Sequence, residues 1–447
     1  MHLQISEEQQ ALRDAVTRLL DKTSPPEAVR AAEPLGWDPA VWDALTDMGV
    51  PTLGVTEGRG GSGASLRDLA VVAEACGAHL APAPIVETMV AARILAHFEA
   101  AAAVEAMGVL VDGGAPVVLA VRPAVDGWAR LVPGAAVADA VVALDGDDLV
   151  VVSERAPDRP SPANLGSAPL ADVDLRAGSR AVLASGGAAH EAFASALDEW
   201  RALTARWLVG LGRDAQQVGI QYATERKQFG VPVGSFQAVA HRFADLATDL
   251  DGADLLSEKA VWALDVAAPT AETFPVMAFW FAGDVAERSA SWALHVHGGY
   301  GFMEEYDIQL HFRRAKATRL VLGDPRRELQ LLAGRLWDDP SAGPIAGSRH
   351  RPTQPAADPG PATTDDTTST DDTTSTDDAT STDDTTTTRA ADASPAAGGL
   401  DFRLGPDGER FRAEVRAFLG RHVTEEVVET AHRTGTIHDA GLHRAMA

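Results

Sequence analysis

The sequence predicts a mainly helical α+β protein: an N-terminal helical domain, a small antiparallel β domain and a C-terminal four-helix bundle. Residues 1–105 carry apolar side chains at helical spacing. Residues 106–190 break into short Val- and Ala-rich runs separated by Gly, Pro and Asp. Residues 191–340 return to long segments with little to interrupt a helix.

Within 1–105, Glu7 to Leu20 sets Leu12, Val16, Leu19 and Leu20 on one face, and Pro25-Pro26 ends the helix. Trp37 to Met48 forms a second helix that starts near Asp38-Pro39. Gly58-Arg59-Gly60-Gly61-Ser62-Gly63 is a turn, and Ser65 can cap a helix from Leu66 to Gly77. Pro82 and Pro84 close that segment, and Val86 to Phe98 follows as another helix. Strands are expected at Val117 to Val121, Ala140 to Leu144 and Leu149 to Val152, with turns at Asp112-Gly113-Gly114 and Gly146-Asp147. The bundle is Ala194 to Gln221, Phe236 to Leu264, Thr273 to His297 and Tyr306 to Val321.

Beyond the bundle, 341–398 repeats the hexad Asp-Asp-Thr-Thr-Ser-Thr from Asp365 onward. The repeat has one sign of charge and nothing to build a core, so a disordered linker is expected. At 399–447 the pattern becomes globular again, with an amphipathic run at Phe411 to Leu419 that echoes Ala11 to Leu19. The truncated start of a second module is expected there, the alternative being a helical tail that docks on the first.

The chain has 447 residues and a net charge of −26, which disfavours nucleic acid and anionic membranes as partners. No apolar run reaches the ~18 residues of a membrane helix. The N-terminus lacks a basic stretch followed by an apolar one, and a single cysteine, Cys76, allows no intrachain disulfide. Cytoplasmic residence is expected.

Two segments carry the chemistry. One is Glu225-Arg226-Lys227-Gln228-Phe229-Gly230, followed by Ser235-Phe236-Gln237; the other is His297-Gly298-Gly299-Tyr300-Gly301-Phe302 with Glu305. Arg226 ends a long helix, where its planar guanidinium can hold a diphosphate bidentately or pair with Glu225. Phe229 offers a ring face to a flavin or adenine, or plain packing. Gln228 and Gln237 can bond cofactor edges, and Gly298 and Gly299 allow backbone to approach a ligand or simply end a helix. Together these segments, with Thr56-Glu57 and Gly60-Gly61-Ser62-Gly63, resemble the acyl-CoA dehydrogenase family over residues 1–337.

The resemblance implies FAD, an acyl-CoA substrate and α,β-desaturation of its thioester. It implies that Arg226, Gln228, Phe229, Gln237, His295, Gly298 and Gly299 hold the adenine half of FAD across a dimer interface, with His295 where the family usually has Gln. It places Asp198, Arg201 and Gly323 near the CoA thioester, although Asp198 and Arg201, three apart on one helix face, can equally form an ordinary surface ion pair. It implies a homo-oligomer or a heteromer with another such module, and an electron-transfer flavoprotein as electron acceptor. The family's catalytic carboxylate falls at one of two positions, here Leu322 and Trp200, and neither accepts a proton.

Three explanations follow. The module is the non-catalytic half of a pair, as in bacterial members that degrade steroid side chains. Or Glu199 swings in, against a helical step of ~100° per residue. Or Glu304 or Glu305 serves as base. The family's flavin-contacting segment of the β domain is not visible, and Val121-Arg122-Pro123 is its candidate remnant. A flavin monooxygenase on the same fold, or a structural partner without flavin, are the alternative functions.

Overall fold

A computed structural model describes residues 5–338, except Gly113 and 155–158, together with the isolated positions Arg410, Ala413, Ala417 and Arg421. The chain divides into a unit of residues 1–350 and a unit of residues 351–447. In the second unit the four described residues are helical and exposed, and Arg421 Nε donates to the Ala417 carbonyl at 3.2 Å. The proposed linker 341–398 and the rest of the proposed second module lie outside the described residues.

The first unit opens with α1 (Glu7–Thr23), α2 (Pro26–Ala31), α3 (Pro39–Asp47), α4 (Leu66–Ala78), α5 (Ile85–Ala96) and α6 (Ala101–Val111). Local chemistry sets these limits. The Asp38 carboxylate accepts from Ala40 N at 2.8 Å, and Ser65 forms a reciprocal capping box with Asp68. Pro26 occupies the first turn of α2, where its missing N–H costs nothing. The helical part runs past residue 105 to Val111, because Ala101–Val111 contains no proline to stop it. Cys76 is buried in α4, and burial pushes its thiol up to about 12.

The β part has six strands: β1 (Val117–Leu119), β2 (Trp128–Val132), β3 (Ala140–Asp145), β4 (Asp148–Ser153), β5 (Ala171–Asp174) and β6 (Ser179–Ser185). One sheet has the order β1-β3-β4-β6, and β2 pairs with β5 in a second. The expected antiparallel pattern holds for β3–β4 and β4–β6, but β1 runs parallel to β3, with Val117 opposite Ala140. The connection between β1 and β3 carries β2, which is long enough for a parallel crossover. Val118, Val141, Val150 and Val152 face the second sheet, while Val117, Leu119, Val142 and Val151 join the helical core. Strands covered on both faces read as continuous apolar runs, which is why these were visible in the sequence.

Then follow α7 (Gly187–Glu225), the hairpin strands β7 (Lys227–Gln228) and β8 (Val231–Pro232), α8 (Gln237–Asp265), α9 (Thr273–Val296), α10 (Ile308–Arg319) and α11 (Arg326–Ala333). The 39-residue α7 is the axis of the bundle and packs on α4, α8, α9 and α10. Its middle is buried on every side from Trp200 to Arg206, so its two buried arginines need partners. Arg206 bonds Glu74, Asp254 and the Ser257 hydroxyl.

Candidate active site

A cavity of about 290 Å³ opens between the N-terminal helices, the β part and the bundle. Leu80–Glu87 supplies one wall, and Arg122, Leu131, Pro133 and residues 164–170 a second. Trp200, Thr204 and Trp207 of α7, Arg314 and Ala317 of α10 and Val321 just after it also line the cavity. The remnant segment Val121-Arg122-Pro123 thus reaches the cavity through Arg122, whose Nη2 is tied to the Arg130 carbonyl at 2.9 Å.

Trp200, one of the two base positions, is fully buried on the cavity wall and packs on Phe279, with ring centroids 5.3 Å apart. Leu322, the other, is half-buried against the helical core, next to the cavity-lining Val321. Gly323 follows it at φ +98°, with open space where a side chain would be. Glu199 does not turn toward this cavity. It is clamped by Arg93 at 2.7 and 3.0 Å and lines a separate cavity of about 130 Å³. The ~100° helical step therefore stands, and in this structure Glu199 is the ion-pair partner of Arg93. Glu304 and Glu305 are exposed on the far turn after α9 and line neither cavity.

Asp198 and Arg201 form the i,i+3 pair that their spacing allowed, at 2.9 Å, but within a buried cluster rather than at a ligand. Glu328 of α11 holds Arg201 at 2.8 Å and Arg335 holds Asp198 at 3.0 Å. Neither Asp198 nor Arg201 lines the main cavity. Burial raises the Asp198 carboxyl above its ordinary value, with the two guanidiniums opposing. In this structure the two residues fasten α11 to α7.

Glu87 was not singled out by sequence reasoning. It is the one acidic residue among those lining the main cavity, and its Oε1 accepts from Trp200 Nε1 at 3.1 Å. Burial raises its carboxyl above the ordinary value, partly offset by its own backbone N–H and by Trp200. The folded protein therefore holds this proton more tightly than the unfolded chain. Stability falls as pH rises from about 4.5 toward the folded value, and the penalty persists above it. Glu87→Gln keeps an acceptor for Trp200 and removes the charge. Its melting temperature should match wild type below pH 4.5 and exceed it at pH 8, measured by calorimetry; equal melting at both would refute a buried, proton-holding Glu87.

The two signature segments meet at the end of α7. Tyr222 stacks on His297 with ring centroids 4.0 Å apart, and Tyr300 stacks on Tyr306 at 5.1 Å. His297 is buried and hydrogen-bonds the Ala293 carbonyl at 2.7 Å, and burial lowers its titration range. Phe229 occupies the tip of the β7–β8 hairpin at φ +54° and is 93% exposed, so it is not core packing. Phe302 is 83% exposed, and Tyr300, Met303, Phe236 and Val231 are exposed as well. Arg226, Gln228 and Gln237 are exposed, and Arg226 makes no ion pair among the described residues. His295 is exposed and stacks on Trp292 at 5.0 Å. Gly298, at φ +62°, and Gly299 have nothing within 4 Å of a built side-chain carbon. An unpaired guanidinium, exposed rings and bare backbone are the chemistry that a dinucleotide cofactor needs, so the residues present fit FAD.

Family models agree over both helical parts. The acyl-CoA dehydrogenase N-terminal domain matches residues 6–105, and the C-terminal domain of the same family matches residues 190–336. The chain belongs to the acyl-CoA dehydrogenase family, oxidoreductases that generally bind FAD. It is 32% identical over 336 residues to the acyl-CoA dehydrogenase IpdE2 of Mycolicibacterium smegmatis, covering 74% of this chain and all of that protein. It is 29% identical over 309 residues to the acyl-CoA dehydrogenase FadE34 of Mycobacterium tuberculosis, covering 66% of this chain and 41% of that one. Among solved structures, the ChsE4-ChsE5 complex of Mycobacterium tuberculosis aligns with a TM-score of 0.68 and 25% identity, over 76% of this chain and 100% of the other. No helix among the described residues is long and apolar enough to cross a membrane.

Proposed function

We propose that residues 1–338 form an FAD-holding acyl-CoA dehydrogenase module that lacks its own catalytic base and works paired with a second module. The observation that carries this reading is the pair of apolar residues, Leu322 and Trp200, at both base positions, with Glu199 held away by Arg93. The cavity's own carboxyl, Glu87, lies at the indole edge of Trp200, displaced by that ring from the α7 backbone. Pairing is supported by the exposed rings at Phe229 and Phe302, by the two-chain assembly named for ChsE4-ChsE5, and by FadE34, of which this chain covers 41%. The globular pattern at 399–447 fits a tandem arrangement.

Arg226 would hold the cofactor diphosphate, with Gln228, Phe229 and Gln237 on one side and the bare backbone at Gly298-Gly299 on the other. The chemistry a bound flavin would supply is acceptance of hydride from the acyl β-carbon. Val321 and Leu322 would border the acyl chain without taking its α-proton. The electron acceptor we propose for the pair is an electron-transfer flavoprotein.

The test is the visible spectrum of the purified protein, alone and after anaerobic addition of acyl-CoA esters. Yellow protein that does not bleach is the expected result, and bleaching by wild type would overturn the base-less reading. The variant Leu322→Glu returns a carboxylate to the position before Gly323. General-base catalysis contributes roughly 10²–10⁴-fold, so this variant should bleach with at least one ester that leaves wild type unchanged. Flavin-bearing Leu322→Glu that stays yellow with every ester would remove Leu322 from the reacting centre.

A further inference from the structure

The main cavity carries polar atoms that the fold itself does not satisfy. Thr204 is 4% exposed and its hydroxyl has no hydrogen-bond partner. A threonine inside a helix commonly bonds the carbonyl four residues back; Thr204 does not, and its side chain lines the cavity instead. Trp200 sits four residues earlier on the same face of α7, and its indole N–H is bonded to Glu87. Among the described residues, Trp200 is the one other residue that donates to the Glu87 carboxyl, which its own backbone N–H also bonds. Glu87, Trp200 and Thr204 line the same cavity as the apolar Leu80, Ile85, Val86 and Val321.

We infer that this cavity selects an acyl group that bears a hydroxyl, which donates to the Glu87 carboxyl and accepts from the Thr204 hydroxyl. A hydroxyl is one donor and two acceptors, so a single ligand group satisfies both side chains. A buried polar group left without a partner costs about 1–3 kcal/mol. A plain alkyl chain would seal the Thr204 hydroxyl into that state, whereas a hydroxylated one would give it a partner and add a donor to Glu87. Holding Trp200 alone does not explain Glu87, since glutamine would accept the same indole N–H without burying a carboxyl. Arg314 Nη2 also lines the cavity without a partner, its other nitrogen bonded to Glu33 at 3.2 Å. It offers the competing choice of a carboxylated acyl chain.

The inference rests on the acyl-CoA reading above, and binding calorimetry on the full chain separates the two. The probes are octanoyl-CoA, its monohydroxylated positional isomers and suberoyl-CoA, which ends in a carboxylate. At least one hydroxy isomer should bind wild type about tenfold or more tighter than octanoyl-CoA, one ligand hydrogen bond being a factor of this size. Glu87→Leu and Thr204→Val should each remove most of that preference, with octanoyl-CoA bound no more weakly than by wild type. Glu87→Gln, which keeps an acceptor, should retain part of it. Thermal melts identify any variant that fails to fold, and Thr204→Val, nearly isosteric, keeps the test decisive if Glu87→Leu does. No preference among the isomers, a preference that survives both variants, or tightest binding of suberoyl-CoA overturns the inference and leaves the acyl-CoA reading in place. No binding of any ester overturns both.

Discussion

Gly77→Ala and Gly210→Ala are each expected to lower the stability of the first unit by about 3–5 kcal/mol, at the severe end for single substitutions. The two glycines face each other across the α4–α7 contact. A side-chain carbon on Gly77 would lie 1.9 Å from the Trp207 carbonyl oxygen, and one on Gly210 would lie 2.0 Å from the Glu74 carbonyl oxygen. In both cases the obstacle is helix backbone, which cannot turn aside as a side chain can. The helices must separate, and the close packing of Leu69, Val72 and Cys76 against α7 is lost with them. At ~2–4 °C per kcal/mol for a domain of this class, melting should fall by roughly 6–20 °C. Because both substitutions push the same helices apart, the double variant should cost less than the sum. Gly187→Ala is the control: it lies at the start of α7 with nothing within 4 Å of the new carbon, and it should be neutral or slightly stabilising. A Gly210→Ala protein that melts within a degree of wild type would show that α4 and α7 do not approach this closely.

The same contact shapes the cavity. Leu80–Glu87 follows directly from the end of α4, and Trp200, Thr204 and Trp207 lie on α7. Parting the two helices therefore moves Glu87 away from Trp200 and Thr204, so these variants should lose ester binding more steeply than they lose stability.

What the sequence disclosed follows from how local each signal is. The signature at 225–237 and 297–305 is legible because its residues are neighbours in the chain. The helices are legible because caps such as Asp38 and Ser65 act within three residues of themselves. Strands β2 and β5 escaped because Arg130 and Asp172 interrupt their apolar pattern, and only in the fold do these two pair across the strands at 2.7 Å. The Asp198–Arg201 spacing was readable, but Glu328, 127 residues from Arg201, decides that the pair is a structural lock. Glu87 was silent for the same reason: its meaning comes from Trp200, 113 residues away. Sequence showed which positions lack a base; only the tertiary arrangement shows which polar groups the cavity offers instead.

The second large effect is expected at the exposed signature surface. Phe229→Asp combined with Phe302→Asp should convert the assembled protein to single chains and strip its flavin, while the melting temperature of the isolated chain stays close to wild type. Both rings are almost wholly exposed, at 93% and 83%, so neither holds the core of this unit together. Phe229 sits at a left-handed hairpin tip, with Phe236 edge-on at 6.2 Å. Pre-ordering an aromatic ring in water has a conformational cost that only a partner surface or a ligand repays. An interface aromatic that behaves as a hot spot contributes about 2 kcal/mol or more, so losing two weakens association by roughly 10³-fold before the buried charges are counted. Arg226→Ala divides the two roles of this surface. It removes the unpaired guanidinium but no apolar area, so it should release flavin and leave the assembly intact. Light scattering reports the mass of the assembly and the visible spectrum its flavin. If the double variant keeps the wild-type mass, the interface lies elsewhere, and if Arg226→Ala stays as yellow as wild type, the diphosphate is held by other residues.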